Sequence, residues 1–458
     1  MFSQNYNIDS PADIERHAKQ LENYCLNDYL LELCQEKTYS SDNKNKGKLG
    51  QLVEEILFNY KPNSRKEADF SSARIELKVT PLKKLKDGKL TIKERLVLSL
   101  INFHTVVDET WENNSLFPKL HFLLLMFYLH ENKAPLDLIF KLITLWKPSE
   151  SDLAIIRKDW QFIIDKIKAG KAHELSEADT NYLGACPKGK DSTDVVSQPF
   201  SNIKAMRRAF SFKTSYIRSI YEDLYVQNSN RVNISKIGNF EELIKSSFAP
   251  YLGKSLDFFI KVNKINISRT NKHFNKLVID AFLKQQFGGT SEEINEFRKA
   301  NISLKTIVLK SNGIPKESMS FKQIQYKDIV NEEWDDFEIN KIHRDGRFLW
   351  VIFRINKPYK KQSEVPLTDI ILEKVMFWSM PFSDLQIEYK KLWEDTKYKI
   401  QHGDYNHFWG SKDNPVGHIR PKGKNAKDLM ETPQGTYEKK KCFWINATYI
   451  AEQIRKDI

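Results

Sequence analysis

Lys66-Glu67-Ala68-Asp69-Phe70-Ser71-Ser72-Ala73-Arg74-Ile75-Glu76-Leu77-Lys78-Val79-Thr80-Pro81 is the stretch whose reading decides the fold of this 458-residue chain. Ile75, Leu77 and Val79 alternate with Glu76, Lys78 and Thr80. That period of two is a strand's, and it sets Glu76 and Lys78 on one face. Asp69 lies across a short turn and returns to meet them. Two hard oxygen ligands beside an ammonium make a site for a divalent metal and a polarised water, which suits hydrolysis of a phosphodiester. The triplet alone is weak evidence, because in a chain this charged an acid two places before a base recurs by chance about nine times. On its own it reads as the solvated face of an edge strand. The context raises it: a β-branched strand, an acid upstream, and a helix carrying another acid before both.

That helix is Gly47-Lys48-Leu49-Gly50-Gln51-Leu52-Val53-Glu54-Glu55-Ile56-Leu57-Phe58. Leu49, Leu52, Val53, Ile56 and Leu57 fall on one side at helical spacing. Glu54 or Glu55 then borders that side and projects toward the strand. Gly47 and Gly50 weaken a helix, so close approach of the backbone to DNA or to the sheet is expected there. Lys46 and Lys48 stand at the positive end of the helix, where a phosphate is welcome. The plainer alternative is an ordinary amphipathic helix with solvated acids.

With these pieces in order, the chain resembles the MutH and Sau-type endonucleases, which act at GATC sites in DNA. The resemblance is carried by Lys46-Gly47-x-x-Gly50-x-x-x-Glu54, Asp69-Phe70, Ile75-Glu76-Leu77-Lys78-x-x-Pro81 and Lys119-Leu120. It continues through Leu145-Trp146-x-Pro148, Asp159-Trp160, Gly170, Pro187-Lys188 and Arg208-Ala209-Phe210. It implies that Asp69 and Glu76 are metal ligands, with the backbone carbonyl of Leu77 as a further oxygen. It implies that Lys78 orients or activates the attacking water, that Glu54 is the helix acid near the metals, and that Lys119 is a basic residue near the scissile phosphate. Lys188 falls in a loop that the family uses on DNA. The family's Arg before this Pro-Lys is here Cys186, which leaves base reading by that loop open.

The C-terminal half repeats the first. Lys276 to Leu283 echoes Gln51 to Phe58, and Asn295-Glu296-Phe297 with Ile302-Ser303-Leu304-Lys305 echoes Ala68-Asp69-Phe70 with Ile75-Glu76-Leu77-Lys78. Val330-x-Glu332-x-Trp334 echoes Val107-x-Glu109-x-Trp111, and Phe377-Trp378-x-x-Pro381 with Leu392-Trp393 echoes Leu145-Trp146-x-Pro148 with Asp159-Trp160. Arg420-Pro421-Lys422 echoes Cys186-Pro187-Lys188, and Cys442-Phe443 echoes Ala209-Phe210. Ile279 stands for Glu54, Glu296 for Asp69 and Ser303 for Glu76, so the second copy reads as catalytically dead. Its Arg420 and Lys422 match the family's DNA-contacting pattern better than the first copy does. A structural buttress is the plainer alternative for this half.

The expected architecture is α/β of the α+β kind: two tandem MutH-like copies, each a central mixed β-sheet flanked by helices. The catalytic domain is placed at 1–225, a polar linker at 226–238, and an inactive DNA-binding domain at 239–458. Helix is expected over 11–36, with Leu21, Leu26, Leu30, Leu31 and Leu33 on its apolar side. Thr38 to Lys46 reads as polar and mobile. Strands are expected near 73–80, 94–103 and 119–129, and helices near 150–168 and 213–224. The second copy opens on amphipathic segments from Phe240 to Phe248 and Leu252 to Phe259, and Lys360-Lys361-Gln362 is expected in a loop before 366–378.

Net charge is +12, which favours a polyanionic partner. Cys25, Cys34, Cys186 and Cys442 show no ligand spacing and no disulfide framework, which suits a reducing cytoplasm. The histidines form no ligand pair, no phosphate-binding Gly-x-x-x-x-Gly-Lys loop is present, and no apolar run spans a bilayer. Together these expectations describe an Mg²⁺-dependent type II restriction endonuclease acting on double-stranded DNA, with GATC as the target that the resemblance implies. It would be a monomer able to dimerise on DNA, with a cognate DNA methyltransferase as functional partner and no membrane association. A repair-type nicking enzyme and a non-catalytic DNA-binding protein are the alternatives. Cut position and methylation sensitivity are not written in the sequence.

Overall fold

The computed structural model describes residues 2–33, 48–60, 67–85, 87–189, 193–225, 231–234, 239–359, 364–425 and 427–456. Lys46, Cys34, the Thr38 to Lys46 stretch and Lys360-Lys361-Gln362 lie outside them. The chain divides into two compact units, Met1–Leu175 with Thr180–Ser229, and Ser176–Asp179 with Asn230–Ile458. Val232, inside the expected linker, bridges to Ile294: its N–H donates to Glu293 O at 3.1 Å and its carbonyl accepts from Asn295 N at 2.9 Å.

The strands of the first unit are β1 (Ile75–Lys84), β2 (Leu90–Ile92), β3 (Leu96–Ile101), β4 (Phe122–Leu129), β5 (Phe140–Trp146), β6 (Leu183–Pro187), β7 (Val195–Gln198), β8 (Ser201–Met206) and β9 (Arg208–Phe212). They form a mixed sheet in the order β2-β1-β4-β5, a second sheet β3-β9-β6 and a β7-β8 ribbon. β1 and β4 are parallel, from Ile75 opposite Phe122 to Leu82 opposite Leu129, and β5 runs antiparallel to β4. β4 lies between two strands and is covered on both faces, so Leu123 to Phe127 have no exposed surface. Such near-continuous apolar runs mark strands buried on both sides, and each of those side chains contributes about 1.5–3 kcal/mol by leaving water. One face is covered by the N-terminal helices, whose Ile14, Ala18, Leu26, Leu52 and Val53 share a core with Ile75, Leu77, Leu124 and Met126.

The expected continuous helix over 11–36 is two, Pro11–Lys19 and Leu26–Glu32. Between them Glu22 bridges to Phe140, and Asn23, left-handed at φ 67°, donates its N–H to Phe140 O at 2.7 Å. Pairing with the sheet edge thus takes the residues that would have continued the helix. Leu31, assigned to the apolar side, is 78% exposed. Helices at Glu150–Lys168 and Thr214–Tyr225 fall where expected. The strand expected from 119 starts at Phe122, because Phe117–Leu120 is a 3₁₀ turn.

The second unit contains β10 (Ile302–Leu309), β11 (Met319–Gln323), β12 (Arg347–Ile355), β13 (Ile370–Trp378), β14 (Gly417–Pro421), β15 (Leu429–Glu431), β16 (Tyr437–Lys439) and β17 (Lys441–Ile445). Its sheets are β10-β12-β13, β11-β17-β14 and β15-β16. β10 and β12 are parallel with Ile302 opposite Arg347, as Ile75 is opposite Phe122. Phe348 faces Trp378 as Leu123 faces Trp146. The same irregularity recurs between Phe127 and Tyr128 and between Ile352 and Phe353. Immediately before each leading strand a residue sits left-handed, Arg74 and Asn301, both at φ 55°. The duplication expected from the sequence is therefore present residue for residue in the sheet. The segment expected as a helix from Leu252 begins instead at Leu256, where the Ser255 hydroxyl caps the N–H of Phe258. Among the described residues no helix is long and apolar enough to cross a membrane.

Candidate active site

In the first unit the strand period does what the sequence required of it. Glu76 and Lys78 share a face of β1, and Lys78 Nζ lies 2.7 Å from Glu76 Oε1. Lys119 Nζ lies 3.0 Å from the same oxygen. Lys119 is placed by the 3₁₀ turn, which Pro118 favours and which Asn114 Oδ1 caps by accepting from Leu116 N at 2.9 Å and Phe117 N at 2.7 Å. Asp69 is held by its own turn: Phe70 and Ile75 exchange backbone hydrogen bonds of 2.9 and 3.2 Å around the left-handed Arg74. Asp69 Oδ2 then accepts the N–H of Leu77 at 2.7 Å. The opposite edge of β1 pairs with β4, so this bond marks the free edge. In an extended strand one residue's N–H and C=O lie on the same edge, which sets the Leu77 carbonyl there too.

Glu54 completes the group. The helix Lys48–Leu52 passes into a π-helical turn, Val53–Leu57, a widening common at functional sites. Glu54 is half-buried and Glu55 exposed, which settles the choice between them. Burial, and then the negative charge of Asp69, push the Glu54 carboxyl up to about 7, against the opposing pull of Lys78. Asp69 is also raised, by burial and then by Glu76, against the pull of Lys78 and the Leu77 hydrogen bond. Three carboxyl groups thus crowd one place, where two ammoniums hold one oxygen of Glu76. Its other oxygen, Oε2, is buried with no hydrogen-bond partner among the described residues. A buried carboxylate oxygen left unpaired is costly unless something cationic meets it.

Among the described residues no group of three or more His, Cys, Asp or Glu is arranged to hold a metal by itself. The donor set that fits a cation is therefore Asp69, the Leu77 carbonyl and Glu76 Oε2, with the remaining ligands from water or phosphate. Hard oxygens in small number, with waters retained, suit Mg²⁺.

The remaining expected site residues are placed elsewhere. Lys48 opens the short helix. No atom approaches within 4 Å of the position a side chain would take at Gly50, so close approach to the sheet does not explain that glycine. Pro187, expected in a loop, ends β6 opposite Arg208, and Lys188 follows it, exposed, its N–H donating to Arg207 O at 2.9 Å. Arg420 and Pro421 likewise belong to a strand, β14, opposite Cys442 and Lys441. Continuous pairing with β9 and β17 carries both strands through these prolines. Arg420 is exposed with its guanidinium 4.5 Å from the centre of the Trp444 ring. Lys422 turns inward, its Nζ donating to Phe321 O at 2.6 Å.

The family described as the DNA mismatch repair enzyme MutH matches this chain twice, over residues 58–159 and 286–391. The two matches cover equivalent parts of the two units, and the first contains Asp69, Glu76, Lys78 and Lys119. The type II restriction enzyme Sau3AI of Staphylococcus aureus is 31% identical over 90% of this chain and 93% of its own length. The chain belongs to the MutH and Sau3AI family. Two MutH repair proteins match less than half of this chain but most of their own length. That of Shewanella woodyi is 29% identical over 41% of this chain and 82% of its own, and that of Shewanella oneidensis 28% over 40% and 81%.

One counterpart went unread in the sequence. β1/β4 and β10/β12 share a register, so counting back three places from Arg347, as Lys119 lies three before Phe122, gives Arg344 as the sequence counterpart; its Nε lies 3.0 Å from Asp345 Oδ1. The signal was the spacing to the apolar strand, obscured because Lys119 ends a 3₁₀ turn and Arg344 an α-helix, Glu338–Asp345.

Proposed function

We propose that the chain is a type II restriction endonuclease that hydrolyses phosphodiester bonds of double-stranded DNA at GATC. The first unit cuts with Mg²⁺, and the second binds DNA as an effector. The observation that carries this reading is the Glu76 carboxylate, one oxygen fixed by Lys78 and Lys119 and the other buried without a partner among the described residues. When bound by Asp69, Glu76 and the Leu77 carbonyl, a divalent ion supplies positive charge to the scissile phosphate and acidity to water. The chain's own residues do the rest. Lys78, on the face of Glu76, orients the attacking water. Lys119, fixed by its short turn, meets the developing charge on the phosphate. Glu54, raised to about 7, is ready to accept a proton near neutral pH.

Similarity along nearly the whole length of a restriction enzyme, against one unit's worth of the repair proteins, favours restriction over repair nicking. A DNA methyltransferase that protects the same sequence is then the functional partner, and a palindromic site favours two chains meeting on DNA. The test is a plasmid digest with Mg²⁺, followed by sequencing of the ends. Linear products with ends at GATC are expected. Nicked circles alone would favour the repair reading, and untouched DNA a binding protein.

A further inference from the structure

We propose that the second unit's counterpart of the carboxylate site is a phosphate-binding pocket. In the sheet, Ser303 stands where Glu76 does and Lys305 where Lys78 does. There the unit has a cavity of about 310 Å³, lined by Asn301, Ser303, Lys305, Ser320, Arg347 and Lys422 among others. A water occupies about 30 Å³ of liquid, so this cavity has room for a tetrahedral anion with part of its hydration. None of its lining residues is an acid.

The charges around it are unevenly balanced. Arg347 is answered by Glu241, with Nη1 to Oε1 at 2.5 Å, and Lys322 by Glu338. Lys422 donates to a carbonyl, which leaves its charge unneutralised. Lys305 has no hydrogen bond or ion pair among the described residues. Burial, then Lys422 and Lys276, push the Lys305 ammonium down. Two ammoniums thus face one half-closed cavity without a carboxylate, while Ser303, Ser320 and Asn301 offer neutral donors. No carboxylate lines the cavity to balance a metal's charge. An anion that accepts several charge-assisted hydrogen bonds relieves the repulsion and satisfies the donors together. Phosphate, as the free ion or as a diester in a nucleic-acid backbone, has that chemistry. The second unit would then have exchanged a cation site for an anion site by losing acids at Glu76's and Glu54's places while keeping the lysine.

This proposal stands on the pocket and does not require the first unit to cut DNA. Inorganic phosphate is titrated into the full chain by calorimetry, with thermal melting in parallel. Saturable binding and a raised melting midpoint are expected. Lys305→Met and Ser303→Glu should each weaken binding by about tenfold or more, the first by removing a cation and the second by pairing it as Glu76 pairs Lys78. Lys305→Met removes a buried charge without a partner, so the variant should melt no lower than the parent in the absence of phosphate; Lys305→Arg should retain binding. Absence of saturable phosphate binding overturns the proposal, as does binding unchanged in both Lys305→Met and Ser303→Glu. A short duplex then separates the sources. If it displaces phosphate from the parent protein, the occupant is a backbone phosphate; if both bind together, it is free phosphate.

Discussion

The two units are built on one backbone plan and differ at the place where that plan brings side chains together. In the first, Glu76, Lys78 and Lys119 form a tight ion group beside Asp69, and Glu54 presses in from the helix. In the second, Ser303 and Lys305 stand in register with Glu76 and Lys78, and Ile279, fully buried, takes the place of Glu54. Glu296, the counterpart of Asp69, accepts the N–H of Ile234 at 2.9 Å, whereas Asp69 accepts that of Leu77. Strand register, bulge and left-handed turn survive the loss of the acids because they are set by backbone pairing and the buried faces. The charged face carries little of the fold, so it can change sign while the fold persists.

The largest expected effect lies in the first unit. Glu76→Ala or Lys78→Ala should lower cleavage by about a thousandfold or more, since the proposed mechanism places both groups on the reacting atoms. Chelation of divalent ions by EDTA should do the same. DNA binding should stay within a few-fold, because contacts to the backbone elsewhere supply most of it. Wild-type cleavage by Glu76→Ala would place the active site elsewhere and remove the contrast between the units.

The reverse experiment restores acids to the second unit. Ile279→Glu with Ser303→Glu should not rescue a Glu76→Ala enzyme, because metal sites need supporting contacts as well as ligands, and Glu296 is committed to Ile234. The two restorations should differ in stability. Ile279→Glu buries a carboxylate among apolar side chains and should cost several kcal/mol, about 3–5, measured by denaturant unfolding. Ser303→Glu meets Lys305 and should be tolerated. Recovery of cutting in the triple variant would show that the second unit had lost only its acids.

A smaller effect tests what the second unit does on DNA. Arg420 is exposed against Trp444, in place of the buried Cys186 of the first unit. If the second unit is an effector, a plasmid with two GATC sites should be cut several-fold faster than one with a single site. Coupling requires the effector DNA to favour one conformation over another. Arg420→Ala with Lys422→Ala should bring the two-site plasmid down to the single-site rate. Equal rates on both plasmids in the wild type would leave this half a buttress.

Much of this contrast was legible in the sequence, for reasons that can be named. Alternation over Ile75 to Thr80 set Glu76 beside Lys78, because a strand's period leaves no other arrangement. Shared order across the halves revealed the duplication, and the apolar run within 119–129 revealed a strand. What stayed hidden depended on tertiary partners. The break between the two N-terminal helices is made by pairing with Phe140, which lies far along the chain. Helical spacing alone left Glu54 and Glu55 both open, and only the resemblance picked out Glu54, because the π-helical turn that carries them leaves no mark in composition. The inward turn of Lys422 depends on the carbonyl of Phe321, from another strand of its sheet. The basic pocket could not be read from any one segment, since its lysines come from strand β10 and from just beyond β14.

The smallest expected effect is a pH dependence that only the first unit should show at the carboxyl cluster. Glu54 has a folded-state pKa raised from 4.5 to about 7. A raised carboxyl contributes stability that is fully present below its unfolded value and is lost as pH rises through the folded value. Without divalent ions, the first unit should therefore lose stability between about pH 4.5 and about 7, as Glu54 ionises beside Asp69 and Glu76. Glu54→Gln should flatten that slope, and so should Mg²⁺, because a bound cation meets the crowded charge and favours the ionised forms. The counterpart Ile279 has nothing to titrate, so Ile279→Leu should leave the slope unchanged. Thermal melts across this range, with and without Mg²⁺, read all of these. A slope that persists in Glu54→Gln would assign the pH dependence to another group, and one insensitive to Mg²⁺ would count against a cation at Asp69 and Glu76.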